Sequence, residues 1–278
     1  MKRLRAGRAA LRGAVAGALL LVAGPARAWD VNALVLEAAA RQREGELSAG
    51  RITLERIEVE TDLDGAGRRK KPERRRYSVV MDRRGVVSRE LLEVDGREAT
   101  EDEKAKSRKE DEKRRRASFE VGGARSDEEE LMSGRVPLLD LLPRLQFQLV
   151  GEELLDGRPT HVVSFVPKPG LASKTIRDRV LNAFAGTTWI DVAENQVRKI
   201  DGHLTVPVKV LGGALLDLQG VRLVYETREV LPGAWAPCRE EIDIRAVAGM
   251  FLGFRREIRF EFSNYRSARP EVPLRAAR

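Results

Sequence analysis

Two histidines, His161 and His203, and a single cysteine, Cys238, are the obvious candidates for general-base, metal or thiolate chemistry in this chain. The histidines fall in separate strand-like runs, and no HxxxH, HExxH or Cys/His spacing brings them toward a shared metal. There is no G-x-S-x-G elbow, no phosphate-cradling Gly-rich loop and no dinucleotide fingerprint after a strand. Glu152 and Glu153 are adjacent on a turn, where solvated charge is the ordinary outcome. Two carboxylates distant in sequence are the one catalytic arrangement left open. Cys238 has neither a second cysteine nor a neighbouring histidine, and a buried small side chain suits it better than a bridge or a reactive thiol. The expectation is a binding protein, with no enzyme activity, no cofactor and no metal.

The other conspicuous chemistry is cationic. Arg68, Arg69, Lys70, Lys71, Arg74, Arg75 and Arg76 form a basic run broken by Pro72 and Glu73. On a strand its charges point to both faces, which suits an exposed edge. Contact with anionic lipid head groups or an envelope protein is one reading, and protection of a sheet edge is the other. Nucleic acid is not the expected partner. The formal charge of +8 over 278 residues is concentrated at the start, where Lys2, Arg3, Arg5, Arg8, Arg12 and Arg27 stand without an acid. The remaining 250 residues hold 45 bases and 43 acids, so no global field for polyanions survives.

Residues 1–28 read as an export signal: a basic segment to Arg12, an apolar stretch of 12 residues from Gly13 to Gly24, and Ala26-Arg27-Ala28 as a small-x-small cleavage site. Twelve helical residues span about 18 Å, short of a hydrocarbon core of roughly 30 Å. The expected location is the periplasm, with cleavage after Ala28.

From Trp29 the pattern predicts a helix over about 30–43, capped by Asp30, with Val31, Leu34, Leu36, Ala38 and Ala39 as a partial stripe. Period-two runs at 52–61, 68–82 and 86–94 follow, turning at 64–67, 83–85 and 95–96, and read as an antiparallel meander. Thr100 and Glu103 make a capping box that opens a helix at about 101–116, part of a charged insertion at about 100–118. Six acids and eight bases fill 101–116, so the expectation is a helix without a face to bury, held in water by pairs such as Glu110–Arg114 and Glu112–Arg116. A short helix after Ser126-x-x-Glu129 and an apolar turn at 137–142 are expected next. Strand patterns then fill 145–265, interrupted by a helix over 171–184 with Gly186 as its stop. About ten strands and three or four helices fit one strongly curved antiparallel sheet with helices on one face, an α+β fold.

Two short motifs, Trp189-Ile-Asp191 before a tight hairpin and Gly233-x-Trp235-x-Pro237 between late strands, complete a pattern that resembles the outer-membrane lipoprotein-sorting (LolA-like) superfamily. The resemblance spans most of a single domain at 29–267, leaving 268–278 as a tail. It implies an unclosed half-barrel whose concave apolar face is covered by helices. It also implies a carrier of lipid or lipoprotein acyl chains, or a sensor that binds an envelope protein. Alternation along the strands nominates the inward side chains of such a groove: Leu145, Phe147, Val163, Phe165, Trp189, Ile242, Ile244, Ile258, Phe260 and Phe262. On the strand over 255–265, Ile258, Phe260 and Phe262 share one face, with Arg259 and Glu261 on the other. N-terminal sequencing of the protein recovered from the envelope is expected to return Trp29 first. Recovery of Met1 would overturn both the cleavage site and the balanced charge.

Overall fold

Asp30 starts the first helix as its position predicts. Its Oδ1 accepts from the backbone N–H groups of Asn32 and Ala33 at 3.0 and 3.2 Å, and α1 (Val31–Ser48) runs five residues past the expected end. The computed structural model describes residues 30–48, 51–64, 67–82, 85–120, 142–173, 175–210, 216–248 and 252–267. The expected export signal, the helix after Ser126, residues 137–141 and the tail at 268–278 lie outside these. No described helix is long and apolar enough to cross a membrane.

The strands are β1 (Ile52–Leu63), β2 (Glu73–Asp82), β3 (Gly85–Val94) and β4 (Arg97–Glu98), then α2 (Glu101–Glu120), β5 (Leu145–Leu155) and β6 (Arg158–Pro167). After α3 (Ile176–Leu181) come β7 (Phe184–Asp191), β8 (Val197–Leu204), β9 (Val208–Val210), β10 (Leu216–Leu231), β11 (Ala234–Ala248) and β12 (Leu252–Ser267). They form one antiparallel sheet in the order β4-β3-β2-β1-β12-β11-β10-β8-β7-β6-β5, with β9 beside β10. The sheet is not closed, since β4 and β5 are its two ends. The fold is the expected α+β unclosed curved sheet. Hairpins set most of this order: Asp95-Gly96 and Asp156-Gly157 hold positive φ at both central residues, the geometry that suits two-residue turns between twisted strands.

Helices cover one face, the concave one. Leu34, Val35, Ala38 and Ala39 of α1 are buried against Leu142, Val163, Ile190 and Val197, and the helix also packs against β11. Spacing of four between Leu34 and Ala38, and between Val35 and Ala39, makes the stripe, and the two alanines let the helix backbone approach the strands. Leu36, expected in this stripe, is 53% exposed. A second cluster gathers Val180, Ala183, Val208, Leu218 and Ala246 around α3, and a third gathers Ile52, Leu54, Tyr77, Val79, Leu91 and Ala99 near α2.

Two expectations are corrected. The helix at 171–184 shrinks to Ile176–Leu181, capped by a Thr175–Asp178 box and ended by Asn182, and Gly186 lies inside β7 rather than at a helix stop. Nor is α2 a solvated excursion. It packs on β3, Ser107 is buried, and Asp111 receives a bidentate bond from Arg89, whose side chain is only 9% exposed. The Asp111–Arg89 contact that docks it is polar, so hydrophobic periodicity was blind to it.

The start of α2 is fastened in the same polar way. Glu103 and Thr100 exchange backbone and side-chain bonds, and Arg97 grips both oxygens of Glu103 at 2.9 and 2.6 Å. The bonds from Arg97 and from the Thr100 N–H hold the Glu103 carboxyl down to about 2. Asp111→Ala is expected to cost about 2 kcal/mol in urea denaturation, because Arg89 is left buried without its carboxylate. Adding Arg89→Ala should cost less than its separate effect. Additive losses would show that the pair does not hold the helix.

Candidate ligand-binding face

Uninterrupted register allows single rows of side chains to be followed across the concave face. Phe147 stands opposite Phe165, which stands opposite Gly186; Gly186 opposes Gly202, Gly202 opposes Leu223, and Leu223 opposes Ile242 and then Ile258. Beyond Ile258 the row reaches Glu60 of β1. The next row runs from Leu149 and Val163 through Thr188, Ile200, Tyr225 and Glu240 to Phe260, and then to Glu58.

The face therefore has three zones. Over β5 to β8 it is filled: Leu145, Val163 and Phe165 are buried, and Phe147 packs against the α1 cluster. The two glycines belong to this filling. Phe165 and Phe184 stack with ring centroids 6.2 Å apart, and a Cβ on Gly202 would sit 2.3 Å from the Phe184 ring. A Cβ on Gly186 would sit 2.2 Å from the backbone oxygen of Asp201 and 2.8 Å from Phe165. Glycine here makes room for aromatic rings and a neighbouring strand, not for a turn.

The middle zone is a strip of half-buried side chains, Leu223, Tyr225, Ile242, Ile258 and Phe260. Arg259 and Glu261, on the other face of β12, are exposed, and the β11–β12 register shows no bulge. Phe260 and Phe262 are neighbours, with ring centroids 6.3 Å apart. Ile244 and Phe262 lie at the strip's margins, against the α3 and α2 clusters respectively. Trp189 is elsewhere: it pairs with Val162 and Lys199, its indole N–H donates to Glu153, and Lys199 lies 5.1 Å from its ring, all on the opposite face. The sequence reading missed Leu223 and Tyr225, because Val224 between them is itself buried on that opposite face and blurs the alternation.

The third zone is charged. Arg56, Glu58, Glu60 and Asp62 line the inner side of β1. Arg56 bonds Glu58 at 3.0 Å and lies between the rings of Tyr77 and Phe260, 5.1 and 5.2 Å from their centroids. Arg89 covers Tyr77 at 4.5 Å, which links this stack to α2. Burial, reinforced by Glu58, raises the Tyr77 hydroxyl above its usual range despite the three nearby guanidiniums.

The two motifs from the sequence meet at one end of the sheet. Arg158 donates to both oxygens of Asp191 at 2.7 and 3.0 Å, and its guanidinium lies 5.7 Å from the ring of buried Trp235. Asp191 also caps its hairpin, accepting from the N–H groups of Ala193 and Glu194. Burial works to raise the Asp191 carboxyl, but the bonds from Arg158 and the two N–H groups prevail and hold it below the usual carboxylate range. These motif residues are therefore a structural brace for the turns.

The basic run is mostly partnered. Arg68 pairs with Asp64, Arg69 with Glu257, Lys71 with Asp95, Arg75 with Glu73, and Arg76 with Glu55 and Glu93. Its main action in the fold is to tie β2 and the preceding loop to their neighbours. Cys238 is half-buried, its thiol donating to the Glu226 carbonyl at 3.4 Å and raised above its ordinary pKa by burial. Among the described residues no group of three or more His, Cys, Asp or Glu is placed to hold a metal. A shallow cavity of about 270 Å³ takes in Arg222, Asp243, Arg245 and Arg255 of the opposite face, where Arg222–Asp201 and Arg255–Asp243 pairs occupy the guanidiniums of two of the three arginines.

Among solved structures, the chain is similar to a DUF1329 family protein from Desulfovibrio piger (14% identity, 88% of this chain and 94% of that one, TM-score 0.36). It is also similar to a LolA superfamily protein from Nitrosomonas europaea (10% identity, 85% and 94%, TM-score 0.32). A third likeness is to an outer membrane lipoprotein-sorting protein domain from Vibrio parahaemolyticus (12% identity, 85% and 94%, TM-score 0.35). No family model and no curated protein matches the sequence.

Gly186→Ala is expected to destabilise by about 3 kcal/mol, because the new methyl meets backbone, and Gly202→Ala by about 1 kcal/mol, because the Phe184 ring can turn aside. Chemical denaturation of both variants checks the order. Equal or negligible losses would break the proposed close approach of β7 and β8.

Proposed function

We propose that this is a non-enzymatic binding protein of the periplasm that holds an acyl chain of a lipid or lipoprotein on its concave face. The observation that supports it is the strip Leu223, Ile242, Ile258 and Phe260, half-buried on the helix-covered side of an open sheet. None of these four belongs to the apolar clusters formed with α1, around α3 or beside α2. Each methylene laid on such a surface contributes about 0.8 kcal/mol, so a chain of a dozen carbons would supply useful affinity even with partial burial. Movement of α2, which holds Arg89 through Asp111, is the route of entry in this reading.

The filled zone narrows the original groove. Leu145, Val163 and Phe165 are buried, Phe147 packs against the α1 cluster, and Trp189 faces away, so the ligand-contact set reduces to Ile242, Ile258 and Phe260, with Ile244 and Phe262 at the margins.

A second reading is a protein-interaction module, and the outward face of α2 favours it. Glu101, Asp102, Lys106, Arg108, Lys109 and Glu110 are all exposed, and Ser107 and Asp111 make the docking contacts without them.

Native mass spectrometry after gentle purification, together with titration of a fluorescent acyl probe bearing an uncharged head, separates the readings. Phe260→Ala is expected to lower probe affinity at least about fivefold while costing under about 2 kcal/mol, since a half-exposed ring has less packing to lose. A loss of 3–5 kcal/mol with no probe bound by the parent protein would mark a filled core and leave the protein-interaction reading in place.

A further inference from the structure

One end of the sheet is guarded against further pairing and, among the described residues, the other is not. At the guarded end β4 is two residues long, Arg97 and Glu98 are both charged, and α2 packs on β3 beside it. Short strands, charge and a covering helix are the ordinary means by which an edge avoids a partner. At the other end β5 runs 11 residues, and no described strand pairs with its outer side. From Leu145 to Gly151 it carries neither a charge nor a proline.

The backbone of this edge is aimed outward at alternate residues. The Lys168 N–H donates to the Arg144 carbonyl at 2.8 Å. That pair continues the β5–β6 register, in which Leu145 stands opposite Pro167, Gln146 opposite Val166, Phe147 opposite Phe165 and Gln148 opposite Ser164. Bonded and unbonded pairs alternate in an antiparallel ladder, so Gln146 and Gln148 exchange bonds with β6. The N–H and C=O groups of Leu145, Phe147 and Leu149 therefore point away from it. Pro167, without an N–H, fits this assignment opposite Leu145. The usable edge is bounded on both sides: a single helical turn, Leu142–Arg144, precedes it, and the register shift between Leu149 and Gly151 ends it.

What remains is Leu145-Gln146-Phe147-Gln148-Leu149, which reads the same in both directions. A second copy laid on this edge about a twofold axis at Phe147 sets every residue against its own kind: Leu145 against the partner's Leu149, Gln146 against the partner's Gln148, Phe147 against the partner's Phe147. We propose that β5 pairs with β5 of a second copy in this register, forming a twofold dimer with one sheet continuous across both chains. The outward-pointing positions pair with one another and supply about six backbone bonds. Gln146 and Gln148, both exposed, meet in the closer, unbonded pairs, where their amides can bond to each other. Phe147 and Leu149, half-buried against the α1 cluster, gain an apolar neighbour on their open side. Glu152 and Glu153 of each copy fall outside the overlap, toward the partner's Arg144, so no like charges are opposed. The strip on β10 to β12 lies beyond β6, β7 and β8, and this pairing holds whether or not an acyl chain binds there.

Sedimentation equilibrium of the mature chain from about 1 to about 300 µM tests this, with a dissociation constant of about 10–100 µM expected for so short a strand pair. Gln146→Lys with Gln148→Lys sets like charges against each other at both unbonded pairs and should weaken the dimer at least about tenfold, as should Gln146→Glu with Gln148→Glu. Gln146→Lys with Gln148→Glu in one chain opposes unlike charges and should dimerise at least as tightly as the parent. Mixing the doubly basic chain with the doubly acidic one should restore a dimer that neither forms alone. Both glutamines are exposed, so the circular dichroism of every variant is expected to match the parent. A parent chain that stays monomeric to about 300 µM would overturn the proposal. So would a dimer indifferent to the charge pattern, because its contact would then lie elsewhere on the molecule.

Discussion

Pairing of the first strand with the last holds this molecule together. β1 to β4 form one meander and β5 to β12 another, and β1 alone joins them by strand pairing, from Ile52–Ser267 to Leu63–Arg255 with one shift of register between Thr53 and Glu55. The seam is fixed by charge as much as by backbone bonds. Arg256 reaches across to Glu60 and Asp62 on the inner face, Arg69 reaches Glu257 on the outer, and Arg56 lies on the Phe260 ring. A slip of one residue would turn Ile57 and Val59 inward and break each of these contacts, so the seam has one good register.

Helices are fastened to this sheet by two opposite physical means. α1 lies on close-packed Leu, Val and Ala against the strands, a contact insensitive to salt and poor in alternatives. α2 presents Asp111 to Arg89, which itself lies on the Tyr77 ring, and its first turn is knotted to Arg97. The exposed Arg97–Glu103 contact at its start weakens as ionic strength rises, while the more buried Arg89–Asp111 pair is screened less. The same chain thus covers β5 to β8 through apolar packing and fastens a helix on β3 through an ion pair.

The sequence made the local rules plain and the long-range ones invisible. Asp30, Asp95-Gly96 and Asp156-Gly157 announce a helix start and two hairpins because each acts on atoms a few residues away. The alternation of Ile258, Phe260 and Phe262 survives because that strand has no bulge against β11. Gly186 looked like a helix stop because its constraint comes from Phe165 and Asp201, neither of them a local neighbour. Trp189 is the one nominated groove residue on the opposite face, whereas its neighbours Thr188 and Ile190 share the concave face with Val163 and His161. The docked face of α2 escaped because its partner, Arg89, is a charged residue on another element. The strip could be guessed in part, but its charged border depends on which strand lies next to β12, and nothing local encodes that.

A strand that waits for its neighbour has a history during synthesis. Asp62 and Arg256, which bond across the seam, are 194 residues apart in the chain. Closing so long a loop adds little to the equilibrium cost, since each doubling of length costs about 0.6 kcal/mol, but it comes late in time. Until β12 has emerged from the ribosome, β1 exposes an unpaired edge of twelve residues. The alternating charges on that edge, Arg56, Glu58, Glu60 and Asp62, are then its protection, since another chain added there would have to bury them unmatched. The residues that later select the register of the finished sheet therefore first keep the growing chain solitary.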